Sequence, residues 1–264
     1  MTLREDRASR RRTRRGEPLP PAYRLAVCLL RTPTLAVTKR DWSGQENLPR
    51  SGGFVAACNH VTYADPVPYA HFLYDSGVDP YFLGKIGVFR TPVVGSILRA
   101  ADQIPVYRES GHAVDAFRAA VKAVEDGKCI ALYPEGTLTR DPDLWPMTPK
   151  TGAAKIALTT KCPVIPVGQW GPQDIMGPYE RALRLLPRKT MRFRAGPPVP
   201  LEDLYDEPLT DEVLRTASDR IIAAITTLVE ELRGEKAPAE RFDTRKAGLP
   251  AIGNYRKAKG RPKG

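Results

Sequence analysis

The chain has 264 residues, of which 42% are hydrophobic and 27% are charged. This composition is typical of a globular protein with one good-sized domain, and it excludes fibrous and wholly disordered classes. The four cysteines are scattered and there are only three histidines, so we expect neither a disulfide framework nor a metal site. No run of about 18 apolar residues occurs and no apolar stretch follows the basic N-terminus. We therefore expect neither a transmembrane helix nor a secretory signal.

The net charge of +11 belongs to the two ends of the chain. Residues 1–16 carry seven Arg against two acids, residues 235–264 carry nine basic residues against three acids, and residues 17–234 carry 25 of each sign. Both ends lack an apolar pattern, so we predict disordered basic tails. Three roles stay open for them: solubility alone, attraction to an anionic membrane surface, and nucleic-acid binding. Because the rest of the chain shows no aromatic and basic nucleic-acid motif, no nucleic acid partner is expected.

Residues 17–50 form a separate N-terminal segment, with an amphipathic helix predicted at residues 22–37. Arg24 and Arg31 are seven residues apart and share one helix face. The opposite face is apolar and consists of Leu25, Ala26, Leu29 and Leu30. A basic amphipathic helix is typical of a segment that lies in a membrane interface. The alternative, which the pattern alone slightly favours, is a helix whose apolar face packs on the protein's own domain.

A His and an Asp five residues apart, His60 and Asp65, follow an apolar strand predicted at residues 54–58. Five residues of straight helix turn by about 500°, so these two side chains meet only if the segment is a turn. Asp65 and Pro66 are typical of the N-cap and first position of a helix, which places His60 at the end of the strand. A histidine held by a carboxylate is a common general base near neutral pH. The alternative is a surface histidine near a helix cap, since such a spacing also arises by chance.

Strands and helices alternate through the predicted domain, residues 51–234. Apolar strands are predicted at residues 54–58, 81–83, 103–107, 129–133 and 164–167, and an edge strand at 190–194. Helices are predicted after Pro66, at 91–99, after Ser110, at 152–160, and from Thr210 to Gly234. This order implies an α/β fold, a largely parallel sheet flanked by helices. Ligands bind beyond the carboxyl ends of the strands of such sheets.

Polar residues follow three other predicted strands. Lys85 follows the strand at 81–83 and Arg108 the strand at 103–107, and arginine is suited to bidentate contact with phosphate. The strand at 129–133 leads into Pro134-Glu135-Gly136-Thr137-Leu138-Thr139-Arg140, where the glycine lets the backbone approach a ligand. Each of these segments alone also fits an ordinary surface turn. A parallel sheet collects them at the edge that carries His60, which predicts an anion site beside the candidate base.

Four segments resemble the 1-acylglycerol-3-phosphate acyltransferases, the lysophosphatidate acyltransferase family of glycerolipid acyltransferases. They are Asn59-His60-x4-Asp65, residues 104–108, residues 134–137 and residues 164–167, in the family's order and at similar spacing. The segment Lys150-x-Gly152-Ala153-Ala154-Lys155 also resembles the family between the last two. The resemblance covers residues 52–170 and implies a glycerolipid-acyltransferase-like fold. It further implies transfer of a fatty acyl group from an acyl thioester to the sn-2 hydroxyl of 1-acyl-sn-glycerol 3-phosphate, giving phosphatidic acid in phospholipid biosynthesis.

The resemblance implies a role for each matching residue. His60 is expected to act as the general base and Asp65 to orient it. The phosphate of the acceptor is expected to bind Lys85, Arg108 and Arg140. The rest of the acceptor site is expected to consist of Glu135, Gly136 and Thr137, and residues 164–167 to lie near the acyl group. No cofactor is expected, with acyl-coenzyme A or acyl carrier protein supplying the acyl group as a co-substrate.

Two positions depart from the family pattern. Leu138 stands where the family often has an arginine, and Tyr107 where an acidic residue is common. They leave open an acyltransferase for glycerol 3-phosphate or another lysophospholipid. A non-enzymatic basic protein that binds a membrane surface or nucleic acid is the alternative from a different class. The resemblance and the basic tails together favour a cytoplasmic protein held peripherally on the inner face of the cell membrane.

Overall fold

The computed structural model describes residues 21–100, 103–106 and 113–250. Within these ranges the strands are β1 Thr38–Ser43, β2 Phe54–Cys58, β3 Pro80–Lys85, β4 Ile104–Val106, β5 Cys129–Leu132, β6 Val164–Trp170 and β7 Lys189–Ala195. The helices are α1 Pro21–Val37, α2 Pro66–Asp75, α3 Ile86–Phe89, α4 Pro92–Ala100, α5 Ala113–Glu125, α6 Gly152–Thr160, α7 Pro172–Ile175 and α8 Asp211–Arg233. Short 3₁₀ turns lie at Gln45–Asn47 and Glu202–Leu204.

The seven strands form one mixed, mostly parallel sheet in the order β1-β7-β6-β2-β5-β3-β4. All neighbours pair in parallel except β6 and β7, which are antiparallel. The central strand β2 lies between β5 and β6, and every residue of β2 is buried. A strand buried on both faces must be apolar throughout, which is why residues 54–58 show a continuous apolar run rather than an alternating one. The carboxyl ends of β2, β5 and β6 therefore meet at one edge of the sheet.

The sheet separates two hydrophobic cores. Phe54, Ala56 and Cys58 of β2 belong to the core that contains α2, whereas Val55 and Ala57 belong to the core that contains α5, α6 and α8. Alternate residues of a strand point to opposite faces, so β2 contributes to both cores. Helix α8 packs on the sheet through buried residues that recur with helical spacing. Thr210 caps its first turn, because its side chain accepts a hydrogen bond from Val213 N. The predicted α/β fold is confirmed.

Two strands differ from the sequence prediction. Residues 190–194 were predicted to form an edge strand, but β7 lies inside the sheet between β6 and β1, so this prediction is wrong. The edge strand on this side of the sheet is β1, which falls in the segment predicted to hold only the amphipathic helix. Its sequence, Thr-Lys-Arg-Asp-Trp-Ser, is mostly polar, and its central residues are exposed. A polar edge strand lacks the apolar pattern that marks a strand, which explains why it escaped prediction.

Helix α1 forms where a helix was predicted but turns an unexpected face to the domain. Leu25 and Leu29 are 60% and 50% exposed, whereas Tyr23 is buried. Arg31 faces the domain and donates to both carboxylate oxygens of Asp75, at 2.7 and 3.0 Å. Leu25 and Leu29 therefore do not pack on the domain, contrary to the alternative predicted for this face. Within the described ranges, no helix is both long enough and apolar enough to cross a membrane.

The Arg31 side chain points towards the domain because Asp75 carries a buried negative charge. This carboxylate ends α2 with only 4% of its side chain exposed, and Arg40 of β1 also donates to it, at 3.0 Å. Burial alone would raise the pKa of Asp75, but hydrogen bonds from His71 and Arg31 and the charge of Arg31 hold that pKa well below its usual range. A buried carboxylate needs hydrogen-bond donors, and those of Asp75 come from different elements. Arg31 and Arg40 thereby join α1 and β1 to the end of α2.

The two predicted tails differ in what the structure describes. Residues 1–16 lie outside the described residues. Residues 235–250, the first half of the predicted C-terminal tail, form no helix or strand but return to the domain. Ala237 N donates to Glu230 Oε1 at 2.9 Å, Thr148 N donates to the carbonyl of Phe242 at 3.0 Å, and Arg241 pairs with Asp219 at 2.8 Å. Backbone and ion-pair contacts thus hold a segment whose composition alone predicts disorder.

Candidate active site

The turn from β2 to α2 brings His60 and Asp65 together. The strand ends at Cys58, the helix begins at Pro66, and His60 Nδ1 lies 2.8 Å from Asp65 Oδ2. Asp65 Oδ2 also accepts from the backbone N–H groups of Val61, at 2.6 Å, and Thr62, at 3.0 Å. Asp65 therefore closes its own preceding turn and does not cap α2, which corrects the role predicted for its side chain, whereas Pro66 stands at N1 as predicted.

These contacts assign the tautomer of His60. Asp65 Oδ2 accepts from two backbone donors, so it is an acceptor for His60 as well, and the hydrogen of the imidazole lies on Nδ1. The lone pair of Nε2 is then available to take a proton. The carboxylate is fully buried, while 16% of the histidine side chain is exposed. This is the arrangement of a general base with a buried orienting acid.

Glu135 supports the same turn from the neighbouring strand. The residue follows β5, is 1% exposed, and accepts from His60 N at 2.9 Å through Oε1 and from Met147 N at 3.1 Å through Oε2. Burial raises the pKa of Glu135 to about 8, against hydrogen bonds from Met147 and His60 that lower it. Both oxygens are engaged by the protein's own backbone. Glu135 thus supports the backbone of His60, and the acceptor contact that the resemblance implies for it stays a prediction.

Tyr133 lies flat against the candidate base. Its ring and the His60 imidazole are stacked, with centroids 3.9 Å apart and planes at 11°. Burial raises the pKa of the Tyr133 phenol well above its usual value, so the hydroxyl stays protonated. The ring fixes one face of the imidazole, while Asp65 fixes its edge. Sequence reasoning did not single out Tyr133, although its position at the end of an apolar strand, just before Pro134-Glu135, could have indicated a contact with the site.

A pair of buried amides holds the start of the turn. Gln169 N donates to Asn59 Oδ1 at 2.8 Å, Asn59 Nδ2 donates to the carbonyl of Gln169 at 3.2 Å, and Gln169 Nε2 donates to the carbonyl of Asn59 at 2.6 Å. The two residues are 1% and 0% exposed. They join the carboxyl ends of β2 and β6 just before His60. Nothing in the sequence marks Gln169, because its partner is 110 positions away.

The turn after β5 lies directly beside the turn that carries His60. Thr139 N donates to the carbonyl of His60 at 2.7 Å. Gly136 has a φ of 67°, which favours glycine, and a Cβ there would lie 2.9 Å from Cδ of the flexible Lys150 side chain, which would have to shift. Thr137 is half-buried and Arg140 is 2% exposed. Sequence reasoning placed Lys150 in a family segment but not in the site, where its side chain covers Gly136.

The structure places the other predicted phosphate ligands only in part. Lys85 is the last residue of β3 and pairs with Val106 of β4, so the ends of these two strands lie side by side. Arg108 lies outside the described residues. Leu138, at the position where the family often has arginine, is 2% exposed. Among the described side chains, no group of three His, Cys, Asp or Glu is placed to hold a metal ion.

Comparison with known proteins identifies the family. The family model described as Acyltransferase matches residues 39–170, half of the chain. A 1-acyl-sn-glycerol-3-phosphate acyltransferase from Bacillus subtilis (strain 168) is 30% identical over 133 residues, which are 49% of this chain and 62% of that protein. The chloroplastic enzyme BAT2 of Brassica napus, of the same name, is 33% identical over 140 residues, 52% of this chain and 39% of that protein. The chain thus matches less than two thirds of the length of these curated relatives.

A solved structure shares the fold. The crystal structure of PlsC, the 1-acyl-sn-glycerophosphate acyltransferase of Thermotoga maritima, superposes with a TM-score of 0.61 at 22% sequence identity. The superposition covers 90% of this chain and 86% of the other. The matched region of the family model contains His60, Asp65 and the turn after β5, the residues whose geometry fits a general base and its supports. The chain belongs to the Acyltransferase family.

Proposed function

We propose that the protein transfers a fatty acyl group from an acyl thioester to the sn-2 hydroxyl of 1-acyl-sn-glycerol 3-phosphate, giving phosphatidic acid. The observation that carries the proposal is the pairing of His60 Nδ1 with the buried Asp65 Oδ2 at 2.8 Å. The pairing supplies a base at the edge of the sheet where ligands bind. Family membership supports acyl transfer, and the names of the relatives support lysophosphatidate as the acceptor.

In this mechanism the acceptor brings its own nucleophile. The neighbouring thiol of Cys58 is fully buried, and burial raises its pKa well above the usual value, which makes it a poor nucleophile. His60 Nε2 instead takes the proton of the acceptor hydroxyl as the oxygen attacks the thioester carbonyl. Asp65 stabilises the imidazolium that forms. The tetrahedral intermediate then expels the thiolate, which takes the proton from Nε2, so the base is regenerated and no acyl-enzyme forms.

The phosphate of the acceptor is proposed to bind the cations at the same edge of the sheet. Lys85 is the last residue of β3, Arg108 comes two residues after β4 in the sequence, and Arg140 directly follows Thr139, whose N–H donates to the carbonyl of His60. Gly136 and Thr137 line that turn. Cations that hold the phosphate would keep the hydroxyl near Nε2, which lowers the entropic cost of the attack. Arg108→Ala should therefore mainly raise the KM for the acceptor, and an effect confined to the acyl donor would contradict this role.

The acyl donor is proposed to be acyl-coenzyme A or acyl carrier protein, and the site of action the inner face of the cell membrane. Both donors are acidic, as is a membrane that contains phosphatidic acid, and the terminal segments of this chain are basic. Helix α1 supports membrane docking because Leu25 and Leu29 are exposed. A chain lacking residues 1–16 and 251–264 should bind anionic vesicles more weakly at low salt. Unchanged binding would contradict a membrane role for the tails.

A thiol-release assay with lysophosphatidate and long-chain acyl-coenzyme A tests the reaction. Release should require both the acceptor and His60, and the His60→Ala chain should fold normally but lose turnover. Near wild-type turnover in that variant would refute the mechanism, and an inactive wild-type chain that binds vesicles or nucleic acid would favour the non-enzymatic alternative. Glycerol 3-phosphate and other lysophospholipids should be compared as acceptors in the same assay. The reason is that the buried Leu138 stands where the family often has an arginine, which leaves the acceptor headgroup open.

A further inference from the structure

A loop of leucines and arginines stands out from the surface of the domain. Residues 181–188, Arg-Ala-Leu-Arg-Leu-Leu-Pro-Arg, are all exposed and connect the segment after α7 to β7. Leu183, Leu185 and Leu186 are 58%, 38% and 80% exposed. Single exposed leucines are ordinary, but three leucines among four successive residues form an apolar tip whose exposure to water is unfavourable. We call residues 181–188 the leucine–arginine loop.

The sheet topology places this loop at the edge that carries His60. β6 runs parallel to β2, with Val167 opposite Cys58, so both strands end at the edge beside the turn that carries His60. β7 is antiparallel to β6, with Arg192 opposite Trp170, so β7 begins at that same edge. The leucine–arginine loop ends one residue before Lys189, the first residue of β7. Its apolar tip therefore projects from the side of the domain where the candidate base lies.

Contacts on both sides hold the loop in this position. Before it, the Tyr179 hydroxyl lies 3.2 Å from the carbonyl of Leu138, in the turn after β5, and the Tyr179 ring makes an edge contact with Tyr63, in the turn that carries His60. Within it, Arg184 N donates to the carbonyl of Ile175 at 2.8 Å. At its end, Arg188 Nη2 donates to the carbonyl of Leu35 at 3.0 Å. The backbone is thus tied to the domain while the leucines project outwards.

The positive charge of the loop indicates an anionic partner. Residues 180–189 contain four basic residues against one acid, Glu180, which pairs with Arg184 at 2.6 Å. Arg181 has no ion pair with any described residue, so its charge is available. Leucines flanked by arginines fit the interface of an anionic bilayer, where apolar side chains enter the acyl region and basic residues are attracted to the lipid headgroups. A stable protein interface needs about 20–30 residues on each side, far more than this loop offers.

We propose that the leucine–arginine loop inserts its leucines into an anionic lipid surface and so holds the His60 edge of the sheet against the bilayer. The inference rests on the exposure, charge and position of the loop, and it stands apart from the chemistry proposed for His60. It adds a contact site to those of α1 and the basic tails. A lipid acceptor would then reach the site from the bilayer without passing through water.

Flotation of the full chain with vesicles tests the proposal. The probe vesicles are phosphatidylcholine with about 30 mol% phosphatidylglycerol, compared with phosphatidylcholine alone. The triple variant Leu183→Ser, Leu185→Ser and Leu186→Ser should lose binding to the anionic vesicles by about tenfold or more. Leu209→Ser is the matched control, because Leu209 is an exposed leucine, 44% exposed, on the segment that leaves from the opposite edge of the sheet. The control should bind as the wild type does.

Two further measurements separate the possible outcomes. Arg181→Gln should weaken binding to the anionic vesicles only, and equal wild-type binding to both kinds of vesicle would overturn the choice of an anionic surface. Unchanged flotation of the triple variant would overturn the proposal. If the triple variant also lost a dimer in sedimentation, the partner of the loop would instead be a second copy of this chain. Turnover of a short-chain, monomeric lysophosphatidate should stay at the wild-type level in the triple variant. This control tests the loop separately from the reaction, since a failure of the proposed chemistry would abolish turnover in the wild type too.

Discussion

Asp65→Asn removes one negative charge from the candidate site while leaving its shape. Two backbone N–H groups, of Val61 and Thr62, point at Asp65 Oδ2, so in the variant the amide oxygen must take that position and the amide nitrogen the other. His60 Nδ1 keeps an acceptor at about the same place and the same tautomer. The variant therefore isolates the electrostatic contribution of Asp65 to the imidazolium that forms when His60 takes a proton.

The size of the effect follows from the geometry. Nδ1 and Oδ2 are 2.8 Å apart, and because both charges are delocalised their centres lie about 4 Å apart. With an effective dielectric constant of about 20, the attraction is about 4 kcal/mol. If the imidazolium forms only on the way to the transition state, its loss lowers kcat by about a thousandfold. The KM values should change little, because the neutral imidazole of the ground state gains little from the carboxylate.

Thiol release under saturating acyl-coenzyme A and lysophosphatidate measures this prediction, with thermal unfolding as a check on the fold. Asp65→Asn should unfold near the wild-type temperature, whereas Asp65→Ala strands two backbone N–H groups at about 1–3 kcal/mol each and should unfold earlier. A kcat of Asp65→Asn within about threefold of the wild type would refute the role of Asp65 in stabilising the imidazolium. A loss confined to KM would refute it too, since it would show a binding function.

Three other predictions follow from the site. Tyr133→Phe should keep kcat, whereas Tyr133→Leu, which loses the stacked ring, should lower kcat by about tenfold in the thiol-release assay, and equal rates would exclude a positioning role. Because burial raises the pKa of Glu135 to about 8, the folded protein keeps a proton on this carboxyl group that the unfolded chain releases above the ordinary pKa of 4.5. The free energy of unfolding should therefore fall by up to about 5 kcal/mol as the pH rises from 4.5 to about 8. Denaturant unfolding of Glu135→Gln should lack this dependence on pH. Gly136→Ala, at a φ of 67°, should lower the free energy of unfolding by about 1 kcal/mol, and an unchanged midpoint would show that Lys150 and the backbone relax freely.

The sequence predicted those elements of the fold whose residues make the pattern by themselves. Residues 54–58 and 129–132 are buried on both faces and read as unbroken apolar runs, and α8 has both its Thr210 cap and its terminal Gly234. β1 could not be found in the same way because a polar edge strand is stabilised by pairing with β7, which follows about 150 residues later. Because β1 was not predicted, β7 was wrongly predicted to be the edge strand.

The site was predictable to the extent that its chemistry is local. His60 and Asp65 share one turn, so their spacing and the following Pro66 were enough to indicate a contact. The orientation of α1 was not predictable, because it depends on the buried charge of Asp75 in another helix. The function of Glu135 was not predictable either. Its carboxylate meets the backbone of His60 from a different strand, and only the folded structure shows that both of its oxygens are already engaged.

The link between Asn59 and Gln169 has a consequence for the order of assembly. The turn that carries His60 is completed by a residue 110 positions downstream, near the end of a strand that must first dock beside β2. During synthesis, an N-terminal fragment that ends before β6 has Asn59, His60 and Asp65 but lacks Gln169, whose amide closes the turn. Catalytic competence should therefore arise late and all at once, after the centre of the sheet has formed. For the same reason, undocking of β6 should inactivate a chain whose other strands are still paired.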